Sequence, residues 1–442
     1  MRSFPQAPQR RLKRPWQRLI AVFGAGLVCT PVLAQVSVSG FGTLGYAQSD
    51  RSFRYQRFVD DDGTFNRDTL IGAQADIRLG EQFSLVAQAK LAPSLKRNNP
   101  WDTTLTWAFL AWRPTNDLLL RAGRFRVPYY LNSANLDVGV TYDPAQLPQE
   151  LYSISPTNET TGISLSHTWE TAPVDIALDA YWGSANFFGS IFFRDDYRAF
   201  GGPDRGRTFI PLEIDSRGFA LTFTRSEDIL RLGFHHAGVM RRDGGEWTKD
   251  FPLINLPDGQ SFYLASQSPL VPTVREIRFS ILTAGFDIGI GRNLRLAGEF
   301  ARRTNVNAPR GGADTRGGYL ALRYDAGSWH PYVSIARLLS NDPSLGLFEA
   351  VNSNRVVPSP FLPAPASLIN ASQRFAADRL VVYDQSTLAI GTSYILSPTQ
   401  KLKFEWATTH VGKVSSFVDA PEGGNVRDRN IHVLSASYNF TF

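Results

Sequence analysis

The sequence predicts an all-β fold, a transmembrane antiparallel β-barrel of sixteen strands. Three observations predict it. Segments of about ten residues alternate apolar and polar side chains along most of the chain. Short and long connections alternate between those segments. The last segment carries an aromatic at every second position up to its end, at Tyr438, Phe440 and Phe442. Successive side chains of a strand point to opposite faces, so each such segment describes a wall with one oily and one wet side.

The first 34 residues are read separately. Arg2, Arg10, Arg11, Lys13, Arg14 and Arg18 form a basic stretch without an acidic residue, and Leu19 to Leu33 is mostly apolar. Val32-Leu33-Ala34 then fits a small-residue cleavage pattern, so residues 1–34 read as a secretory signal peptide. The apolar run is short for a membrane-spanning helix, which needs roughly 20 such residues. Cys29 is the only cysteine and is expected to leave with this segment, so residues 35–442 carry no thiol chemistry. The formal charge of +6 is also explained here. The 46 Lys and Arg of the chain fall to 40 without those six, equal to the 40 Asp and Glu. The basic pI is therefore a targeting effect, and nucleic acid is not an expected partner.

Residues 35–442 read as one domain, with no linker, low-complexity tract or composition shift. In 70–79, Ile71, Ala73, Ala75, Ile77 and Leu79 alternate with Gly72, Gln74, Asp76 and Arg78. In 83–92, Phe83, Leu85, Ala87, Ala89 and Leu91 oppose Ser84, Gln88 and Lys90. Near 174–183, Ile176, Leu178, Ala180 and Trp182 oppose Asp175, Asp179 and Tyr181. In 294–303, Leu294, Leu296 and Phe300 oppose Arg295, Glu299 and Arg303. In 401–409, Leu402, Phe404 and Trp406 oppose Lys401, Lys403, Glu405 and Thr409. Arg or Lys on the lipid face at the bilayer midplane costs about 2–4 kcal/mol. The charged face must therefore meet water, which makes the lumen wet.

Short connections fall at 80–82, 114–117, 171–173, 226–228, 291–293, 326–328 and 397–400. Between them lie longer stretches near 49–68, 94–103, 128–161, 187–215, 243–273, 304–315, 340–379 and 413–428. This unbroken alternation gives sixteen strands with both termini on the short-turn side; a further hairpin inside 340–379 would make eighteen. The final strand sets Leu434, Ala436, Tyr438, Phe440 and Phe442 against Ser435, Ser437, Asn439 and Thr441. It resembles the C-terminal membrane-insertion signal of bacterial outer-membrane barrels.

With these features in place, the chain resembles a Gram-negative outer-membrane porin of the general, trimeric superfamily. The resemblance covers essentially all of 35–442. It rests on Val36–Tyr46 (VSVSGFGTLGY) as first strand, Leu434–Phe442 as last, and a long third loop. It implies a homotrimer in the cell outer membrane, surrounded by outer-membrane lipid and lipopolysaccharide and inserted by the barrel-assembly machinery. It also implies a water-filled channel for passive diffusion of small hydrophilic solutes and ions, narrowed by the third loop folded into the lumen. The Pro-Glu-Phe-Gly-Gly-Asp motif of enterobacterial porins is absent, so no constriction residue is transferred by motif.

The segment matching that loop is Tyr129 to Thr161, which mixes aromatic and apolar residues with Asp137, Asp143 and Glu150, its backbone stiffened by Pro144, Pro148 and Pro156. A long loop of this composition is usually functional. The three acids are the expected acidic side of the constriction, against the reading of an exposed loop with scattered charges. The basic wall that porins place opposite is expected at Lys90, Arg124 and Arg126. Arg295, Arg303, Arg323, Lys401 and Lys403 lie on other lumenal faces. Arg121 conflicts with Arg124 under strict alternation, which a bulge would resolve.

No metal or cofactor is expected. His235-His236 on one strand face opposite sides, and Asp60-Asp61-Asp62-Gly63 lacks the alternating carboxylates of a calcium loop. Beside the passive pore stand a substrate-selective channel, which the large loops favour, and an outer-membrane hydrolase, which needs an oriented Ser–His pair. His167 points outward while Ser166 and Thr168 point inward, so no enzyme is expected.

Overall fold

The computed structural model describes residues 35–98, 100–265 and 268–442; the expected signal segment lies outside the described residues. The wall is built in chain order by β1 (Gln35–Ser49), β2 (Leu70–Arg78), β3 (Phe83–Pro93), β4 (Trp101–Trp112), β5 (Leu118–Arg126), β6 (Glu159–Trp169), β7 (Asp175–Phe193), β8 (Gly206–Arg225) and β9 (Asp228–Arg241). Four short strands follow: β10 (Trp247–Thr248), β11 (Leu253–Asn255), β12 (Ser261–Tyr263) and β13 (Thr273–Val274). The wall resumes with β14 (Glu276–Gly289), β15 (Leu294–Asn305), β16 (Thr315–Tyr324), β17 (Trp329–Ser340), β18 (Tyr383–Ser397), β19 (Gln400–Ser415) and β20 (Arg429–Thr441). The sixteen wall strands close into one barrel, β9 pairing directly with β14 and β20 with β1. No described helix is long and apolar enough to cross a membrane; the crossing elements are strands.

The two faces follow the alternation. Ile71, Leu85, Trp182, Phe300 and Phe404 are exposed outside, while Gln88, Tyr181, Glu299, Lys401 and Lys403 are buried inside. The closing seam uses the terminal aromatics. Leu44 pairs with Tyr438 and Gly42 with Phe440, and Gly40 exchanges both backbone bonds with Phe442, at 2.8 and 3.0 Å. Gly40 and Gly42 leave the space the rings fill: a Cβ on either would stand 2.1 Å and 2.5 Å from the rings of Phe442 and Phe440.

A bulge interrupts β4. Gln88 pairs with Trp107 and Ala89 with Leu105, leaving Thr106 as the extra residue. Its hydroxyl, fully buried, donates to the Gln88 carbonyl and amide oxygens at 3.1 and 2.7 Å. The inserted residue reverses the alternation, so Leu105 and Leu110 both face out while Phe109 and Ala111 face in.

One expectation needs correction, and one alternative is decided. The stretch 187–215 is mostly strand: β7 and β8 stay paired up to Phe193↔Gly206, leaving a loop of 194–205. Its inner side is covered by other loops, so neither face shows the plain alternation of a wall strand. The region 340–379 holds no extra hairpin, which settles the strand number at sixteen. It folds as α2 (Asp342–Ser353) and α3 (Ala366–Asp378). The Asn341 side chain caps α2 by accepting from the Ser344 N–H at 3.0 Å. Leu345, Phe348 and Val351 recur at helical spacing and pack with Ala376, Ala377 and Phe251 in a core at the long-loop end of the barrel.

Deleting Thr106 would set Leu105 beside Trp107 and leave both halves of β4 on their present faces and in register with β3, whereas inserting one residue between Phe109 and Leu110 would turn one half of the strand inside out. We expect the deletion to be recovered as a folded, heat-modifiable barrel by electrophoresis and the insertion not to be. Thr106→Ala, which loses only its hydrogen bonds, is expected to fold and to lose about 1 kcal/mol. Failure of the deletion to fold while Thr106→Ala folds would contradict the bulge.

Candidate functional site

Loop 3, residues 127–158, leaves β5 at Arg126 and re-enters the wall at Glu159. It bends into the lumen because its apolar residues find cover there. Val127, Tyr129 and Tyr130 are buried at its root, where the Tyr129 ring meets His235 edge-on with centroids 4.5 Å apart. Leu151 and Ile154 are buried at its return.

Wall residues hold this loop around its length. Glu299 on β15 joins its two limbs, accepting from the Leu131 N–H at 2.7 Å and the Tyr152 hydroxyl at 2.9 Å, with Tyr319 donating at 3.0 Å. Arg303 donates to the Ile154 carbonyl at 2.8 Å. On the short helix α1 (Gln149–Tyr152), Glu150 accepts from Gln385 at 2.7 Å and from the Thr387 hydroxyl. The Ala145 N–H donates to the Tyr332 hydroxyl at 3.1 Å. Lys403 donates to the Pro144 carbonyl at 2.9 Å and sits 3.8 Å from the centre of the Tyr142 ring. At Gly317 the loop backbone lies on the wall itself, since a Cβ there would be 2.1 Å from the Glu150 carbonyl oxygen.

Of the predicted acidic and basic residues, Asp137 is in direct contact with Lys90 and Arg126. Lys90 donates to Asp137 at 2.7 Å, and Arg126 pairs with the other carboxylate oxygen. Burial alone would raise the Asp137 carboxyl pKa; the two cations outweigh that and hold it below the usual range. Arg124 does not join them. Its register partners are Ala108 and Thr161, on the outward parity of Ala122 and Ile163, and it donates to the Leu105 carbonyl at 2.6 Å. Arg121 takes the inward parity, paired with Ala111 and Ser164. Arg126 shares the parity of Arg124, paired with Glu159, and reaches Asp137 from the end of β5, while Arg124 stands 3.7 Å from Glu159.

Asp143 has the richest surroundings. It accepts from Ser393 at 2.7 Å and Lys401 at 3.0 Å, with His330 Nδ1 at 3.2 Å and Arg323 at 3.4 Å. Burial raises its pKa, but Lys401, Ser393 and Arg323 outweigh it and hold it at about 2.

Two cavities flank this residue. One of about 390 Å³ lies toward the long loops, lined by Tyr142, Tyr319, Tyr332, Asn132 and Glu150. The other, of about 750 Å³, opens among the short turns, beside Arg225, Arg292 and Asp325. Both are lined by Thr141, Asp143 and Arg323, so these residues mark the waist between them. Asp137 borders neither. Arg323 continues to Asp287 at 3.2 Å and Asp287 to Arg295 at 2.8 Å, which alternates fixed charge along the wall.

Sequence reading missed the carboxylate pins as such, and it missed loop 1. Tyr55, from 50–69, is buried in the lumen with its hydroxyl 3.3 Å from Thr409 and 3.2 Å from Gln385. The signal was present: Phe53, Tyr55, Phe58 and Val59 are too apolar for a freely solvated loop. His167 does lie on the outward parity, 3.4 Å from Asp117, whereas Ser166 donates inward to Asp179 at 2.7 Å.

No family model and no curated relative matches the sequence. Solved structures do match the fold. Pseudomonas putida OprB is 10% identical with a TM-score of 0.51, covering 92% of this chain and 94% of that one. An anion-selective porin from Comamonas acidovorans is 11% identical with a TM-score of 0.49, covering 92% and 100%. The trimer form of OmpT, an outer membrane protein of Vibrio cholerae, is 9% identical with a TM-score of 0.47, covering 92% and 99%. The chain has the fold of a Gram-negative outer-membrane porin, a closed sixteen-strand β-barrel.

Because the Asp143 carboxyl titrates below its ordinary value of 3.8, its contribution to holding loop 3 is complete above that pH and lost as pH falls through about 2. The contribution is on the order of 2 kcal/mol. Protease resistance of loop 3 is thus expected to be flat from neutral pH to about 4 and to fall below it; a loss already near pH 6 would assign the hold to another group. Gly317→Ala is expected to displace loop 3 and lower the thermal midpoint, at a cost of about 1–3 kcal/mol.

Proposed function

We propose that this protein is an outer-membrane pore for passive diffusion of small hydrophilic solutes and ions, assembled as a homotrimer and exported by a cleaved signal peptide. The observation that carries this reading is the pair of cavities inside the barrel that share Thr141, Asp143 and Arg323 in their linings. A wall with an apolar exterior and a charged interior belongs to a wet lumen. Ion preference in such a pore is set by fixed charge at the narrowest point, and Asp143 is the carboxylate common to both cavities.

A second reading, a solute-selective channel, is favoured by the size and lining of the upper chamber. At about 390 Å³, with four tyrosines and the amide of Asn132 at its wall, it suits a bound small molecule as well as a passing one. Neither reading assigns catalysis to the chain.

Purified protein is expected to insert into planar bilayers with ohmic conductance steps, in triplets for a trimer; silent insertion would overturn the pore reading. Asp143→Asn leaves Lys401 and Arg323 without their carboxylate and is expected to raise anion-over-cation permeability by about twofold or more. Asp137→Asn is expected to shift selectivity less and to weaken loop 3. Concentration-dependent block of current by a small neutral solute would favour the selective channel. A serine-reactive probe is expected to leave the folded protein unlabelled; stoichiometric labelling would contradict the non-enzymatic reading.

A further inference from the structure

The upper chamber is bounded at its outer end by a turn of loop 1 as well as by loop 3. Tyr55 and Gln56 line it together with Glu150, Thr387 and Thr409. The two loops share wall side chains there. Gln385 Nε2 donates to Glu150 at 2.7 Å and to the Tyr55 hydroxyl at 3.2 Å. Thr387, which donates to Glu150, lies 2.8 Å from Thr409, and Thr409 lies 3.3 Å from Tyr55. Thr409 stands eight residues beyond Lys401 on β19, on the same face. That is on the order of 20 Å of height on a tilted strand, so this rim is a level separate from the waist at Asp143.

The turn is held in an unfavourable shape. Gln56 and Arg57 both take positive φ, 50° and 75°, where residues with a Cβ are disfavoured. The Gln56 amide oxygen is buried without a hydrogen-bond partner, which costs about 1–3 kcal/mol. Neighbours impose the shape. The Gln56 N–H donates to the Phe417 carbonyl at 2.8 Å, and Tyr55 and Val59 exchange backbone bonds at 2.8 and 3.0 Å. The Arg57 guanidinium lies 4.6 Å and 4.8 Å from the centres of the Phe58 and Phe209 rings. Backbone costs of this kind gather at sites of function. Here they set Gln56 over the chamber and sink Tyr55 into its wall.

Charge in the chamber is unevenly answered. Arg67 pairs with Asp68 at 2.5 Å, Arg231 with Asp179 at 3.2 Å and Arg323 with Asp287 at 3.2 Å. Glu150 accepts from Gln385 and Thr387, and Glu405 from Tyr332 at 2.7 Å, all neutral groups. Neither glutamate makes an ion pair among the described residues. We propose that loop 1 forms a second narrowing of the passage, in series with the waist, at which Gln56 and Glu150 favour cations and solutes bearing an ammonium group. An unpartnered amide oxygen and an uncompensated carboxylate at one rim suit a hydrogen-bond donor with positive charge. The inference rests on the pore reading.

The test is single-channel recording of cysteine variants, which the absence of cysteine from 35–442 permits. In Gln56→Cys, a trimethylammonium-bearing methanethiosulfonate is expected to label the folded protein and to lower conductance in steps. The same adduct is expected to lower potassium-over-chloride permeability by at least about twofold. A sulfonate-bearing methanethiosulfonate is expected to lower conductance without lowering that ratio. Gln56→Gly relieves the positive φ and removes the side chain; it is expected to fold and to raise conductance. Glu150→Gln keeps an oxygen that can accept from Gln385 and Thr387. It is expected to lower potassium-over-chloride permeability by about twofold with loop 3 still protease-resistant. Labelling of Gln56→Cys without a change in current, protection of its thiol in the folded barrel, or unchanged conductance in Gln56→Gly would overturn the second narrowing. Unchanged permeability in Glu150→Gln would overturn its preference for cations. Silent insertion of the wild type would instead remove the pore reading itself.

Discussion

A strand that crosses a bilayer must find partners for its backbone N–H and C=O groups within the sheet, because lipid supplies none. Closure is therefore the constraint on which this molecule depends. It requires β20 to meet β1, and the meeting is made by the last residues of the chain, with Phe442 bonded to Gly40 and aromatic rings lying over two glycines. Once the sheet is closed, the period of two divides every strand between lipid and lumen. The charged residues that the outside cannot tolerate are then concentrated in a narrow interior.

That concentration shapes the lumen. Charges in a confined space are stable only when paired or solvated. Loop 3 supplies part of that pairing: Asp137 answers Lys90 and Arg126, and Asp143 answers Lys401 and Arg323. In return, wall groups such as Glu299 and Arg303 satisfy the hydrogen-bonding groups of the loop. The loop and the wall are thus one electrostatic structure. The carboxylates that look like selectivity residues divide by position: Asp137 mainly fastens the loop, while Asp143 fastens it and also faces the passage.

The fold was legible to an unusual depth because alternation, turn length and the aromatic end are local signals repeated many times. The failures have local causes too. The β7–β8 extension lacks plain alternation because other loops cover its inner face. The helices of 342–378 carry helical spacing inside a region read only for strands. Arg124 was placed inward by analogy with a basic wall, although its own register with Ala108 and Thr161 turns it out.

What the sequence determined by itself is the barrel, its strand count up to one hairpin, and the rule that charge goes inside, since these follow from period two and the cost of charge in lipid. The first and last strands were readable as the two ends of that wall. Only the tertiary structure decided which charges meet. Lys90 and Asp137 are far apart in the chain and touch because loop 3 turns inward, and Arg302 and Arg316 face each other because of a register. Contact between such groups is set by the path of a loop and the stagger of strands, which no single segment encodes.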